Sequence, residues 1–297
     1  MTNADIPDAD GVRWPDVSAV IVTYNSAHAL ADCVARISGV AEVIVVDNAS
    51  SDGTAAAARK LGNTVRVIEN ERNLGFGCAN NVGFGAARTP YVLMLNPDAW
   101  IAADAVDALV ACVRSDPSVG IAAPVLRNDQ GRRELPVMGP LEIQHTHLGV
   151  DPSGPFCTWF ITGAAWMCRT EAWREIGGFD ENIFLYNEDT DFCLRLAKQG
   201  YALVILPEAA AVHGGGMSSP PSKEVRYLKD WHQTWSHLYI NGKYGHAAEA
   251  RAEARRIVVN RVAKALLYVF LLRPSRVAGN WAKASAAWTY LNRKPIR

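Results

Sequence analysis

Four short runs, apolar at nearly every position, alternate with helix-like stretches over the first hundred residues, and this rhythm narrows the architectures open to the chain. Residues 17–23, 42–46, 65–68 and 91–95 have strand length and are rich in β-branched side chains. A strand that is apolar throughout must be covered on both faces, which is the condition of a buried parallel sheet. Between the runs, residues 27–37 read as a helix and Ser51-Asp52-Gly53-Thr54 opens another. Strands alternating with helices predict an α/β fold with a Rossmann-like, mostly parallel sheet. A composition of 49% hydrophobic and 20% charged residues supplies the core such a fold needs.

Ligands of these sheets gather at the carboxyl ends of the strands, so the residues just past each strand are the ones that can meet one. They are Thr23-Tyr24-Asn25, Asp47-Asn48, the segment from Asn70 to Asn73, and Asn96-Pro97-Asp98. Singly, each has an ordinary explanation, since Asp caps helices and Asn-Pro-Asp makes turns. Together on one rim they suit a nucleoside diphosphate. Asp47 can accept the imide N–H of uracil or thymine, and Asp98 can hold Mg²⁺ or Mn²⁺, which favour oxygen ligands. Gly75 and Gly77 enter a helix after Asn73, where they serve either a tight turn or close approach to a diphosphate.

Past residues 119–123 the pattern becomes irregular, and residues 129–156, rich in Gly, Pro and His, read as a loop or insertion. Strands are expected at 156–162, near Trp166 and at 202–206, with helices at 171–176 and 188–198. Tyr186-Asn187-Glu188-Asp189-Thr190-Asp191-Phe192 places three carboxylates at the start of the last helix, with Asn187 as its cap. Acids favour a helix N-terminus by ~0.3–1 kcal/mol each, which explains them structurally. The same dipole also keeps a carboxylate ionised and able to take a proton. His213, following the late strand, is either structural or a neutral metal ligand.

In order along the chain, V-T-Y-N, V-V-D-N-A-S-S-D-G-T, N-x-G-F-G-x-A-N-N, L-N-P-D, T-G-A, G-G-F-D-E, N-E-D-T-D-F and H-x-G-G closely resemble the family 2 glycosyltransferases, and within them the rhamnosyltransferase-related branch. The likeness covers residues 17–219. It implies a GT-A fold, a nucleotide-diphosphate sugar donor and inversion at the anomeric carbon. Transferred by position, Thr23, Tyr24, Asn25, Asp47 and Asn48 hold base and ribose, with Asn73, Asn80 and Asn96 along the donor. The family's D-x-D is Asn96-Pro97-Asp98 here; its first Asp is missing, so Asp98 becomes the main metal ligand and His213 a second. Asp189 is the expected base and Glu188 its alternative, otherwise positioning the acceptor. Trp159, Gly163 and Asp191 fall on the acceptor side. The branch points to dTDP-L-rhamnose as donor, with UDP-hexose or UDP-HexNAc sugars fitting the same motifs. The acceptor is expected to be a glycan or a polyprenyl-diphosphate-linked saccharide, in cell-surface polysaccharide synthesis.

These motifs divide the chain into a leader at 1–16, a catalytic domain at 17–222 and a helical tail at 223–297. The catalytic domain has a donor half at 17–100 and an acceptor half at 101–222. Formal net charge is zero, but residues 251–297 hold eleven Lys or Arg and one acid, Glu253. Residues 257–272 form an amphipathic helix with positions 256, 260 and 264 polar and Val258, Val262, Leu266 and Val269 opposite, ended by Pro274. Too short and charged to span a bilayer, the tail reads as an interfacial anchor or as a helical pair packed on the catalytic domain or on a dimer partner. The acidic N-terminus has no apolar signal region, and six scattered cysteines lack metal spacing. A cytoplasmic protein, peripheral on the inner face of a bacterial inner membrane, is expected.

Other classes lack their signatures. No Gly-x-Gly-x-x-Gly follows the first strand as in a dehydrogenase, no Gly-Lys-Ser/Thr suggests a P-loop, and residues 22–25 give no phosphate loop for a nucleotidyltransferase. Nothing points to nucleic acid. A sugar-nucleotide-binding relic without turnover is the non-enzymatic alternative.

Overall fold

The computed structural model describes residues 12–128, 130–134, 153–214 and 222–293. Contacts divide the chain into two units, Met1–Asp180 with Asp189–Pro220, and Glu181–Glu188 with Pro221–Arg297.

The first unit begins with β1 (Trp14–Thr23), α1 (Ala27–Arg36), β2 (Val40–Asp47), α2 (Thr54–Ala58), β3 (Val65–Glu69), α3 (Phe76–Ala86) and β4 (Tyr91–Leu95). It continues through β5 (Ala99–Ile101), α4 (Ala103–Ser115), β6 (Val119–Arg127), β7 (Arg133–Glu134), β8 (Phe156–Cys157) and β9 (Ala165–Arg169). α5 (Thr170–Glu175), α6 (Glu188–Lys198, whose first residue clusters with the second unit) and β10 (Ala202–His213) complete it. One mixed sheet runs β3-β2-β1-β4-β9-β6-β10-β5. The first four strands are parallel, as are β6 and β10, while β9 runs antiparallel between β4 and β6. This is the GT-A-like, Rossmann-type architecture.

The continuous apolar runs are explained by the two faces of the sheet. Val17, Ala19, Ile21, Val43, Val45, Leu93 and Leu95 pack with Leu30 and Cys33 of α1 and Val106, Leu109 and Val113 of α4. Val20, Val22, Ile44, Val46, Val92 and Met94 point the other way, against Ala79 and Phe84 of α3 and Phe192 and Leu196 of α6. Successive strand residues serve opposite cores, so neither face can be polar. Gly83 of α3 lies so close to β1 that a Cβ there would stand 2.4 Å from Val20 Cγ1. A ring cluster of Phe84, Trp166, Phe179 and Phe192 anchors the second core, with Phe179 and Phe192 stacked at 4.4 Å.

Several boundaries differ from expectation. β1 starts at Trp14, inside the expected leader: Trp14 is buried and donates its indole N–H to Asp107 at 2.8 Å. A register irregularity between Trp14 and Ser18 hides this start from the pattern. The strand expected at 156–162 is only two residues long, because after Thr158 N donates to Leu203 O the Thr158 hydroxyl turns the chain out of the sheet. The late strand runs on to His213, past a register shift between Leu206 and Ala210; Pro207 disguised it. Most of the expected 129–156 loop, residues 1–11 of the leader and residues 294–297 of the tail lie outside the described residues.

The second unit holds α7 (Lys223–Lys243), α8 (Ala247–Phe270) and α9 (Pro274–Asn292). Ser222 caps α7 by accepting from Val225 N at 3.0 Å, and Pro274 opens α9 at a position where its missing N–H costs nothing. Residues 181–188 cluster here rather than with the sheet. Ile183 is fully buried in one core with Trp235, Leu238 and Tyr239, and Ser236 donates to Leu185 O at 2.9 Å. No helix among the described residues is long and apolar enough to cross a membrane.

Candidate active site

Strand register puts the carboxyl ends of β1 and β2 level, with Thr23 opposite Asp47. The Thr23 hydroxyl donates to Asp47 Oδ1 at 3.0 Å, and Ser50 N donates to Asp47 Oδ2 at 3.0 Å. Each carboxylate oxygen keeps a second lone pair, so Asp47 can still accept from a ligand. Asn25 follows β1 in a left-handed conformation (φ 55°), which Asn tolerates better than most residues. Its Oδ1 accepts from Ser51 N at 2.8 Å, and its own N–H donates to Ser50 Oγ at 2.8 Å. Tyr24, between them, is half-buried. The sequence reading missed Ser50 and Ser51, whose part is audible only as polar residues after the Asp-Asn pair.

Asn48 is engaged on every side by protein. Its Nδ2 donates to Asn73 Oδ1 and Gly75 O, and its Oδ1 accepts from Asn70 Nδ2 and Leu74 N. Asn73 Oδ1 also takes Gly75 N, at 2.9 Å. The end of β2 is thereby tied to the turn that enters α3, where Gly75 (φ 85°) adopts the backbone glycine favours. On α3, Asn80 is buried and donates to Phe76 O, while its Oδ1 has no hydrogen-bond partner. The adjacent Asn81 was not singled out from sequence. It pairs twice with the Phe179 backbone, at 2.9 and 2.8 Å, fixing the Gly-Gly-Phe loop. An Asn doublet inside a helix, where Asn is a poor former, was the available signal.

Asn96-Pro97-Asp98 forms the turn between β4 and β5. Asn96 N donates to Ala164 O, and Gly214 N to Asp98 O at 3.0 Å. β5 pairs antiparallel with the end of β10, Ala99 opposite His213. That register brings His213 Nε2 to 3.7 Å from Asp98 Oδ1 and 3.3 Å from Asn96 Nδ2. Asp98 is buried and His213 partly so, and Asn96 Oδ1 is buried without a hydrogen-bond partner. An oxygen and a nitrogen donor beside an unsatisfied amide oxygen form a set that fits Mg²⁺ or Mn²⁺, which keep several positions for phosphate or water. No group of three His, Cys, Asp or Glu side chains suited to a metal occurs among the described residues. Cys33, with its thiol near Asn96 O, has its pKa pushed up by burial and then by Asp98, so it stays a neutral neighbour.

Asp189, in the first turn of α6, keeps part of its surface open. Burial of its carboxyl raises its pKa, against hydrogen bonds from Gly163 N (3.2 Å) and Thr190 N (2.8 Å) that lower it. Gly163 is held closely: a Cβ there would stand 3.3 Å from Phe76 and 3.6 Å from Asp189 Cβ. Trp159 is 56% exposed. Asp191, expected on the acceptor side, is instead fully buried and pairs with Arg195 Nε at 2.8 Å. A carboxylate one helical turn from an arginine is drawn to it, and this one faces the protein interior. Glu188 is buried and clusters with the second unit, where its charge adds to the burial that raises the Tyr186 phenol pKa. Asn187, the expected cap, has φ 64°, not the extended backbone usual at that position.

The chain is similar to known proteins in sequence and in fold. The model described as Glycosyl transferase family 2 matches residues 18–177. An N-acetylglucosaminyl-diphospho-decaprenol L-rhamnosyltransferase of Mycobacterium tuberculosis (strain ATCC 25618 / H37Rv) is 30% identical over 261 residues, covering 73% of this chain and 85% of the relative. A dTDP-rhamnosyl transferase of Shigella flexneri is 28% identical over 221 residues, covering 69% and 71%. Among solved structures, a mannosyltransferase from Pyrobaculum calidifontis in complex with GDP-Man and Mn²⁺ superposes with a TM-score of 0.58 at 19% identity, covering 94% of this chain and 88% of that one. That last likeness concerns the fold.

Proposed function

The chain belongs to glycosyltransferase family 2, and from that premise we propose that it is an inverting enzyme that transfers L-rhamnose from dTDP-rhamnose. The acceptor is a glycan or a polyprenyl-diphosphate-linked saccharide of cell-surface polysaccharide synthesis. The observation that carries the mechanism is the approach of Asp98 and His213 across the β5–β10 pair. The choice of sugar is supported by the names of the Mycobacterium and Shigella relatives. A UDP-hexose or UDP-HexNAc donor is the second reading, because the rim groups that meet base and diphosphate suit it equally.

In this reading Asp47, oriented by Thr23 and Ser50, accepts the imide N–H of the base, with Tyr24 and Asn25 beside it. Asn48 and Asn73 act by fixing the Gly75 turn along the donor, and Asn80 and Asn96 offer their unsatisfied amide oxygens to its polar groups. Asp98 and His213 hold Mg²⁺ or Mn²⁺. The metal, when bound, offsets the charge developing on the departing diphosphate. Asp189 takes the proton of the acceptor hydroxyl as that oxygen bonds to the anomeric carbon and the bond to the diphosphate breaks on the opposite face. Its raised pKa brings it closer to neutral pH, where a base is more effective. Glu188 is the alternative base, and Trp159 and Gly163 shape the acceptor side. The basic segment 251–297 makes peripheral contact with the inner face of the membrane that carries the acceptor.

The test is transfer itself. The protein is incubated with Mn²⁺, a polyprenyl-diphosphate saccharide and, in turn, dTDP-rhamnose, UDP-galactose and UDP-GlcNAc, and the linkage formed is read by NMR. An inverted rhamnosyl product supports the proposal. Turnover of a UDP-sugar replaces the donor, and binding of donors with no product on any acceptor favours a relic.

A further inference from the structure

Exposure of the large apolar residues of α8 is concentrated toward its C-terminal end, although Val259, mid-helix, is also 68% exposed. Ala250, Ala254 and Ala265 are buried, and Ile257 and Val258 pack against the core of the helical unit. The end of the helix behaves differently. Leu266, Leu267, Val269 and Phe270 are more than half exposed, and Leu271 and Leu272 follow them into the open turn before α9. Phe270 and Leu272 are the extremes, at 83% and 87% exposed. An apolar cluster concentrated at one helix end is unlike the singly scattered surface hydrophobes of ordinary proteins.

The backbone of this turn adds to the contrast. Leu272 has φ 52°, the left-handed conformation in which glycine costs least. That position is held here by a leucine whose side chain is largely exposed.

Charge supplies the second half of the argument. Lys264, Arg273 and Arg276 flank the cluster in sequence, and among the described residues none of them pairs with a carboxylate. Arg276 donates to Tyr268 Oη at 3.1 Å and lies over its ring at 5.3 Å. The Tyr268 phenol is pulled below its usual pKa by Arg276 first and then by Lys264 and Arg273, so the three cations share one neighbourhood. No acidic residue follows Glu253 in the chain.

We infer that the α8–α9 turn is an insertion tip, which buries Leu266, Leu267, Phe270 and Leu272 among the headgroups of an anionic lipid bilayer while Lys264, Arg273 and Arg276 meet lipid phosphates. Bilayer surfaces reward this pairing of apolar side chains with flanking cations, whereas a second copy of the chain would bring the same positive charges together. The inference rests on the membrane reading of segment 251–297 and narrows it to one turn.

The experiment is co-sedimentation of the full chain with vesicles of phosphatidylglycerol and of phosphatidylcholine, alongside Phe270→Ser/Leu272→Gly and Lys264→Gln/Arg273→Gln/Arg276→Gln. The wild type is expected to bind phosphatidylglycerol, bind phosphatidylcholine at least about tenfold more weakly, and release as salt shortens the screening length. Each variant should bind at least about tenfold more weakly than wild type with an unchanged circular dichroism spectrum, since the altered side chains are exposed. Leu272→Gly relieves the left-handed residue, so that variant should melt no lower than wild type. Wild-type binding that both variants retain would overturn the tip and leave the broader membrane contact standing. A wild type that ignores anionic vesicles would overturn both. A concentration-dependent dimer abolished by Phe270→Ser/Leu272→Gly, without vesicle binding, would assign the turn to a second copy instead. Sugar transfer to a water-soluble acceptor analogue, measured in parallel without vesicles, reports separately on the transferase reading.

Discussion

His213 Nε2 lies 3.7 Å from Asp98 Oδ1 because the last residue of β10 stands opposite Ala99, the neighbour of Asp98. The two side chains are far apart in sequence, and strand register alone makes them a pair. In the proposed mechanism they hold one ion. His213→Ala is then expected to raise the Mn²⁺ concentration for half-maximal turnover by about tenfold or more, with little change in Tm. Titration of activity against Mn²⁺ measures this. An unaltered metal requirement removes His213 from the ligand set.

Asp189 carries a carboxyl whose pKa burial has raised. As base it must be ionised, so the acid limb of the kcat profile should lie above the ordinary carboxylate range. Asp189→Asn should lower kcat by about 10²–10⁴-fold and leave donor binding nearly intact. Stability has the opposite sign. A raised folded pKa gives stability that is full below the unfolded value and is lost as pH climbs through the folded one. The Asn variant escapes that loss, so at pH 8 it should melt no lower than wild type. A variant that turns over normally eliminates Asp189 as base.

Asp191 is expected to matter for stability rather than for acceptor recognition. Its buried carboxylate is ion-paired with Arg195, which also donates to Ile176 O at 2.7 Å. Arg195→Ala removes the guanidinium paired with this buried carboxylate and should cost about 3–5 kcal/mol, measured by urea denaturation. Asp191→Asn should likewise lower the denaturation midpoint while acceptor KM stays put. A large rise in acceptor KM without loss of stability would restore the acceptor contact that the sequence suggested.

Asn48 joins β2 to the turn before α3 through four hydrogen bonds. Asn48→Ala leaves several buried partners unsatisfied, which should cost about 1–3 kcal/mol. The loosened Gly75 turn should raise donor KM more than it lowers kcat. Equal loss in both terms would mean that the turn is not fixed by Asn48.

What sequence could and could not convey follows from where the information resides. The four parallel strands were legible because burial on both faces writes an apolar residue at every position, as at Val43, Ile44, Val45 and Val46, all fully buried. The rim residues were legible because polar side chains break those runs abruptly at Thr23, Asp47 and Asn96. Trp14 was hidden by the Pro15-Asp16 irregularity, and the run of β10 to His213 by Pro207. The inward turn of Asp191 depends on Arg195 reaching back one helical turn, and three clustered acids give no sign of which will be buried. The grouping of residues 181–188 with the C-terminal helices rests on contacts of Ile183, Leu185 and Ser236 that no local pattern announces.

The most direct test of a metal-assisted sugar-nucleotide site is thermal stabilisation of wild type and Asp98→Ala by dTDP-rhamnose, with and without Mn²⁺. Ligand at about 100 times its Kd stabilises by about 2.7 kcal/mol, which for a chain of this size is a rise of roughly 4 °C. The account predicts such a rise for wild type with Mn²⁺, a smaller one without it, and a loss of the Mn²⁺ effect in Asp98→Ala. Equal stabilisation of both proteins, whether or not Mn²⁺ is present, would contradict it.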